Sequence, residues 1–324
     1  MRKGNKSIVK IAFMGTPDFA VHSLNVLIEE GMNVVCVVTQ PDRPQGRKKV
    51  LTPTPVKAAA VEHGIPVLQP QRMRNPESIA ELAAYEPDLI ITAAFGQILP
   101  KAVLDLPRLG CVNIHGSLLP KYRGGAPIQR CIINGETVTG ITLMYMAEGL
   151  DTGDMISKIE VPITDEDTSG TLFAKMSEAG ATILRQELPR LLEGKVDAEP
   201  QNDDESTYAP NLTREDEQLD WSKTSRELYN QVRGLVPFSG GFTLWNGEVF
   251  KVWKMSKPAT DVTLTGAALD AKPGTVLDLS PEGIVVRTGD NTVTLTEIQP
   301  AGKKALKASE FVRGTSMTKG TVLG

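Results

Sequence analysis

The segment Leu89-Ile90-Ile91-Thr92-Ala93-Ala94-Phe95 decides the fold. It is an unbroken apolar run following a stretch with helical spacing over 78–85, the pattern of a strand covered on both faces. Upstream, the pattern repeats in reverse: a short strand at 66–68, a helix over 55–62 stopped by Gly64, and the buried run Val34-Val35-Cys36-Val37-Val38. Further back, a helix over 17–30 ends at Gly31, and an apolar strand lies at 8–14. Downstream, strands are expected at 111–115, 139–146 and 155–161, with helices over 126–133 and 168–192. Strands alternating with helices predict a doubly wound, Rossmann-like, mostly parallel α/β sheet over residues 1–194.

Beyond residue 194 the character changes. Residues 195–212 are polar and acidic, with Asp203-Asp204-Glu205, and read as a linker across the surface. A helix over 225–235 then opens a run of short strands at 241–245, 249–255, 274–279, 283–288 and 292–298. Their close spacing predicts a small OB-like β-barrel within a second domain, 213–324.

Composition narrows the class of protein. The chain has 324 residues, 40% hydrophobic and 23% charged, which suits two globular domains and excludes a disordered or fibrous chain. No stretch is long and apolar enough for a spanning helix, so no membrane partner is expected. The basic start followed by an apolar run resembles a signal peptide, but Lys10 interrupts the run and no small-residue cleavage site follows, so a strand is expected there. The 3 cysteines, Cys36, Cys111 and Cys131, are widely spaced, which fits a reducing cytoplasm. The net charge of −4 is unevenly shared: residues 222–324 carry 13 Lys and Arg against 9 Asp and Glu, leaving the acidic excess upstream. A basic C-terminal part permits a polyanionic partner.

Several chemistries are excluded by missing motifs. The first strand-to-helix turn reads Gly15-Thr16-Pro17-Asp18-Phe19, with Pro17 where a dinucleotide fingerprint needs its second glycine. A phosphate-binding P-loop, a G-x-S-x-G elbow and metal-ligand spacing of His, Cys, Asp or Glu are all absent, and no metal is expected. His22 and His63 read as structural.

The remaining polar cluster is Asn113-Ile114-His115-Gly116-Ser117-Leu118-Leu119-Pro120. Residues i and i+2 of a strand share a face, so Asn113 and His115 project together at a carboxyl strand end, where open α/β sheets hold ligands. An amide can donate to a developing oxyanion and an imidazole can move a proton near neutral pH. A carboxylate partner is expected from Glu148-Gly149-Leu150-Asp151-Thr152-Gly153-Asp154, with Asp151 and Asp154 both eligible on spacing alone. A second feature is the cationic loop Gln40-Pro41-Asp42-Arg43-Pro44-Gln45-Gly46-Arg47-Lys48-Lys49, placed to contact phosphates.

These residues resemble the 10-formyltetrahydrofolate-dependent formyltransferase family. The resemblance rests on the ordered motifs Asn113-x-His115, Ser117-Leu118-Leu119-Pro120 and Leu150-Asp151-Thr152-Gly153. It implies catalytic roles for Asn113, His115 and Asp151, and 10-formyltetrahydrofolate as formyl donor and co-substrate. One wall of the folate pocket would be formed by Ser117, Leu118, Leu119 and Pro120 together with Phe95, Gly96, Ile98 and Leu99. Within the family, the chain is most similar to the branch acting on methionyl-tRNA. That likeness rests on Gly15–Phe19, the 40–47 loop, Ala126-Pro127-Ile128-Gln129-Arg130 and Gln299-Pro300-Ala301-Gly302-Lys303-Lys304. It implies initiator methionyl-tRNA as partner, a role in translation initiation, and tRNA contacts from Arg43, Arg47, Lys48, Lys49, Lys303 and Lys304; no DNA partner is expected. One departure is Phe95-Gly96-Gln97, where relatives often carry Tyr-Gly-Leu. The competing readings are a formyltransferase acting on an amino sugar nucleotide and a non-catalytic RNA-binding protein.

Overall fold

A computed structural model describes residues 8–324. The chain groups into two compact units, the first made of residues up to Gly125, 138–162 and 173–209, the second of 126–137, 163–172 and 210–324.

The first unit is built on a seven-stranded sheet. Its strands are β1 (Lys10–Gly15), β2 (Asn33–Val38), β5 (Val67–Leu68), β6 (Leu89–Ala93), β7 (Cys111–His115), β8 (Val138–Tyr145) and β9 (Met155–Pro162), in the order β5-β2-β1-β6-β7-β8-β9. A separate two-stranded ribbon pairs β3 (Arg43–Gln45) with β4 (Val50–Thr52). Pairings from β5 through β7 are parallel, while β8 pairs antiparallel with both β7 and β9 at the far edge. The predicted mostly parallel sheet is present, with β8 alone running against the other strands of the sheet. Residues 146–154 are too few for a crossover, which needs a dozen or more, so β9 must turn back along β8.

Burial explains the central runs. Ile11, Ala12, Phe13, Met14, Leu89, Ile90 and Ile91 are wholly buried, as expected of strands covered on both faces. The helix Asp18–Glu29 follows β1 directly and buries Phe19, Ala20, Leu24 and Leu27. Gly15 permits that turn through close packing: an added Cβ would sit 2.6 Å from Ala20 Cβ and 2.9 Å from the Ala93 carbonyl. The glycine where a phosphate fingerprint would begin therefore serves helix–strand contact. The long helix Ser169–Glu193 buries Met176, Ile183, Leu184, Leu188 and Leu191 at helical spacing, and Ser177 Oγ donates to the Phe19 carbonyl at 2.9 Å.

The second unit contains an antiparallel sheet in the order β10-β11-β14-β13-β12, from β10 (Gly241–Trp245), β11 (Glu248–Met255), β12 (Val276–Ser280), β13 (Gly283–Arg287) and β14 (Thr292–Gln299), with β15 (Leu306–Lys307) beside β14. Its core gathers Trp221, Phe250, Val252, Ile284, Leu295 and Ile298. The last residues close the sheet. Val276 N donates to Thr321 O at 2.7 Å and Leu323 N to Gly274 O at 2.9 Å, while Gly324 N reaches Leu244 O at 3.0 Å. Residues 320–324 therefore bridge β12 to β10. The same unit takes in the helix Pro127–Ile133, which packs on the helix Ser225–Leu235; Gly234 allows the approach, since a Cβ there would meet Ile133 Cγ1 at 2.6 Å. Arg130 forks onto Asp216 at 3.1 and 3.4 Å and donates to Pro210 O at 2.6 Å. Among the described residues no helix is long and apolar enough to cross a membrane.

Candidate active site

The site forms at the carboxyl end of β7. In register, Asn113 lies opposite Thr92 of β6, and His115 opposite Thr142 of β8. Asn113 is half-buried and His115 buried, with both on one face of the strand. Thr92 Oγ1 donates to Asn113 Oδ1 at 2.7 Å. With its oxygen so occupied, the Asn113 amide offers its N–H groups to a ligand oxygen.

The imidazole is fixed from both sides. His115 Nε2 lies 2.9 Å from the Tyr122 carbonyl, which can only accept, so Nε2 carries hydrogen. Nδ1 is then the nitrogen free to exchange a proton, and it faces Asp151 Oδ2 at 3.7 Å. That same oxygen accepts from Gly124 N at 2.8 Å. Of the two eligible aspartates, Asp151 is the one beside His115; Asp154 is exposed and contributes its backbone carbonyl to Tyr145 N at 2.9 Å.

Local sequence dictates these loops. Asp151 adopts a left-handed backbone, φ 51°, which an aspartate tolerates better than most residues. A Cβ on Gly153 would overlap the Tyr145 carbonyl oxygen, so only glycine lets the loop fold down here. Gly124, at φ 116°, would with a Cβ meet the Ala209 carbonyl at 2.7 Å.

The two segments expected to wall the folate pocket are built differently from each other. Phe95 and Leu99 pack into the core and Leu119 is wholly buried, whereas Ile98 is 85% exposed. Gly96 is exposed, Leu118 and Pro120 are half-buried, and Ser117 Oγ is spent on the Lys121 carbonyl at 2.6 Å. The 117–120 loop carries a cis Leu119–Pro120 bond and is held by Thr142, whose Oγ1 donates to Ser117 O at 2.7 Å and accepts from Leu119 N at 3.0 Å. Lys158 Nζ donates to Leu119 O at 2.5 Å. Gln97, the departure noted above, ties this region together: it accepts from Met73 N at 2.6 Å and donates to Pro70 O at 2.9 Å and Gln40 Oε1 at 3.2 Å.

The cationic loop is the β3–β4 ribbon. Arg43 lies on β3, while Arg47, Lys48 and Lys49 occupy its exposed turn, and none of the four has an ion pair to the described residues. Lys303 and Lys304 are exposed in the second unit, between β14 and β15. His22 and His63 are exposed and remote in sequence from the cluster. Burial pushes the Cys36 and Cys111 thiols up to about 12, which leaves neither a nucleophile. Among the described residues no cluster of three or more His, Cys, Asp or Glu could hold a metal. A cavity of about 690 Å³ in the second unit, lined by Asp165, Arg226 and Arg233, contains none of the residues named for the site.

Sequence reading missed Thr92, the Tyr122 carbonyl and Gly124. A threonine within an otherwise aliphatic strand was the one available signal; the other two contribute backbone atoms, which no side-chain motif announces.

A strand-end amide and imidazole beside a carboxylate from a glycine-bounded loop are the groups that acyl-type transfer requires. Residues 9–188 match the formyl transferase family and residues 211–316 the formyl transferase C-terminal domain. The chain belongs to the formyl transferase family. Within it, the chain is 55% identical over 318 residues to the methionyl-tRNA formyltransferase of Bacillus subtilis (strain 168), covering 98% of each chain. It is 52% identical over 322 residues to the enzyme of the same name from Halalkalibacterium halodurans, again covering 98% of each. Among solved structures it is similar to WlaRD, a sugar 3N-formyl transferase crystallised with dTDP and 5-N-formyl-THF, with a TM-score of 0.66 at 19% identity over 91% of this chain and 99% of that one. At that identity the likeness concerns the fold.

Proposed function

We propose that the protein transfers a formyl group from 10-formyltetrahydrofolate to the α-amine of methionyl initiator tRNA, the step that prepares it for translation initiation. The observation that carries this reading is the match over 98% of both chains to relatives named for that reaction, spanning both units. An amino sugar nucleotide is not favoured, because the sugar-enzyme likeness is one of fold alone. The first unit is the catalytic one and the second supplies further tRNA contacts through Lys303 and Lys304, while Arg43, Arg47, Lys48 and Lys49 engage the acceptor end.

10-Formyltetrahydrofolate, when bound, supplies the formyl carbon; transfer forms a bond from that carbon to the amine, breaks its bond to N10, and moves one proton from amine to N10. Asn113 donates an amide N–H to the formyl oxygen as it gains negative charge, with its orientation set by Thr92. His115 receives and returns the proton through Nδ1, since Nε2 is committed to Tyr122. Asp151 places a carboxylate 3.7 Å from Nδ1, on the side of the ring where the proton is exchanged. The 95–99 and 117–120 segments wall the pterin, with exposed Ile98 over its face. The test is formyl transfer from 10-formyltetrahydrofolate to methionyl initiator tRNA, with methionyl elongator tRNA and an amino sugar nucleotide as controls. Turnover of the initiator alone is expected; turnover of the sugar nucleotide without the tRNA would overturn the reading.

A further inference from the structure

The acidic stretch expected to act as a linker reaches back to the site through Gln201. Its Nε2 donates to two carbonyls, Asp151 O at 2.7 Å and Gly153 O at 2.8 Å. Its Oε1 accepts from Arg123 Nε at 3.0 Å. A guanidinium only donates, so the amide cannot be turned round without losing all three bonds. Arg123 is itself 2% exposed and held by Asp203 Oδ1 at 2.7 Å. The neighbours of Arg123 are the groups that fix the site: Tyr122, whose carbonyl holds His115, and Gly124, whose N–H holds the Asp151 carboxylate. The same stretch binds them again, with Tyr122 N donating to Thr207 Oγ1 at 2.8 Å and Arg123 N to Thr207 O at 2.9 Å.

We propose that Gln201 is a positioning residue for formyl transfer, clamping the backbone of Asp151–Gly153 to Arg123 so that the Asp151 carboxylate stays aimed at His115. Asp151 needs such a clamp because it holds a left-handed backbone in a loop whose preceding Leu150 is 58% exposed. Gln201 touches no reacting atom and acts through Asp151. This inference rests on the reading of the site given above.

The test compares Gln201→Met, which keeps the length and removes both donors, with Gln201→Glu, which keeps an acceptor for Arg123 and also removes the donors. A displacement of a catalytic group by about 1 Å can cost ~10²-fold, so kcat for formyl transfer to methionyl initiator tRNA is expected to fall roughly ten- to a hundredfold. KM for both substrates is expected to stay within about twofold, because no binding contact is removed. In an Asp151→Asn background the same substitutions are expected to cost less than about twofold, since the residue they act through is already disabled. The 3 histidines give three ring signals by NMR, and only that of His115 is expected to move in the substrate-free variants. Unchanged kcat with an unmoved His115 signal would overturn the proposal, as would a loss that persists in full in the Asp151→Asn background. Should either variant fail to fold, the other carries the same readouts. A wild-type protein that does not formylate methionyl-tRNA would count against the functional reading, whereas the His115 signal tests the clamp without any substrate.

Discussion

His115 Nδ1 and Asp151 Oδ2 stand 3.7 Å apart, although they belong to segments separated by a helix and a strand. The gap is longer than a hydrogen bond. Gly124 N holds that same carboxylate oxygen at 2.8 Å.

Thr92 should matter through Asn113. Thr92→Val keeps the shape and removes the donor at 2.7 Å, freeing the amide to turn its oxygen toward the substrate. Turnover is expected to fall about tenfold, with Thr92→Ser close to wild type, because one misaimed oxyanion donor costs up to ~10²–10³. Steady-state kcat for the two variants checks this.

Gly153 is a steric requirement. Gly153→Ala would drive a methyl group into the Tyr145 carbonyl, and overpacking of that kind costs about 1–3 kcal/mol when the backbone can shift. A lowered Tm together with a large loss of kcat is expected; a variant matching wild type in both would show that the loop has room the structure does not give it.

Asp88 makes a pH-dependent contribution to the first unit. It accepts from Lys10 N at 2.8 Å and from Arg108 Nε at 2.8 Å, and these contacts hold its carboxyl below the ordinary 3.8. Because the folded carboxyl binds its proton less tightly than the unfolded one, its stabilisation is complete above about pH 4 and is lost as pH falls further, through the folded value. Asp88→Asn is expected to cost about 1 kcal/mol at pH 7. The difference from wild type should shrink below pH 4 in denaturant titrations, and a difference that grows on acidification would have the wrong sign.

The ribbon turn should behave as a phosphate contact. Arg47→Ala and Lys48→Ala are expected to weaken methionyl-tRNA binding and to lower the slope of log K against log salt by about 1 each. Binding of the formyl donor should not change. Filter binding across a salt series distinguishes this from a loop that faces solvent only.

The legibility of these features differs for physical reasons. The strand 89–93 and the turn at Gly15 could be read because a doubly covered strand leaves an unbroken apolar run and a helix start follows at once. The direction of β8 could not, since a strand buried on both faces looks alike whichever way it runs. Asn113 and His115 stood out through their two-residue spacing, whereas spacing left Asp151 and Asp154 level; the family resemblance chose Asp151, and the loop geometry that Gly153 permits sets it beside His115. Gln201 was hidden in a polar stretch with no periodicity, its role depending on two carbonyls far away in sequence. Closure of the second sheet by residues 320–324 was equally hidden, resting on backbone bonds and the single buried Leu323.

The central claim is that His115 and Asp151 work as one proton-handling unit beside the Asn113 amide. Single-turnover formyl transfer to methionyl initiator tRNA by His115→Asn, Asp151→Asn and the double variant tests it most directly. Each single change is expected to slow the chemical step by ~10²–10⁴, with the double variant no slower than the worse single one. Rates within about threefold of wild type for either single variant, or losses that multiply in the double variant, would contradict it.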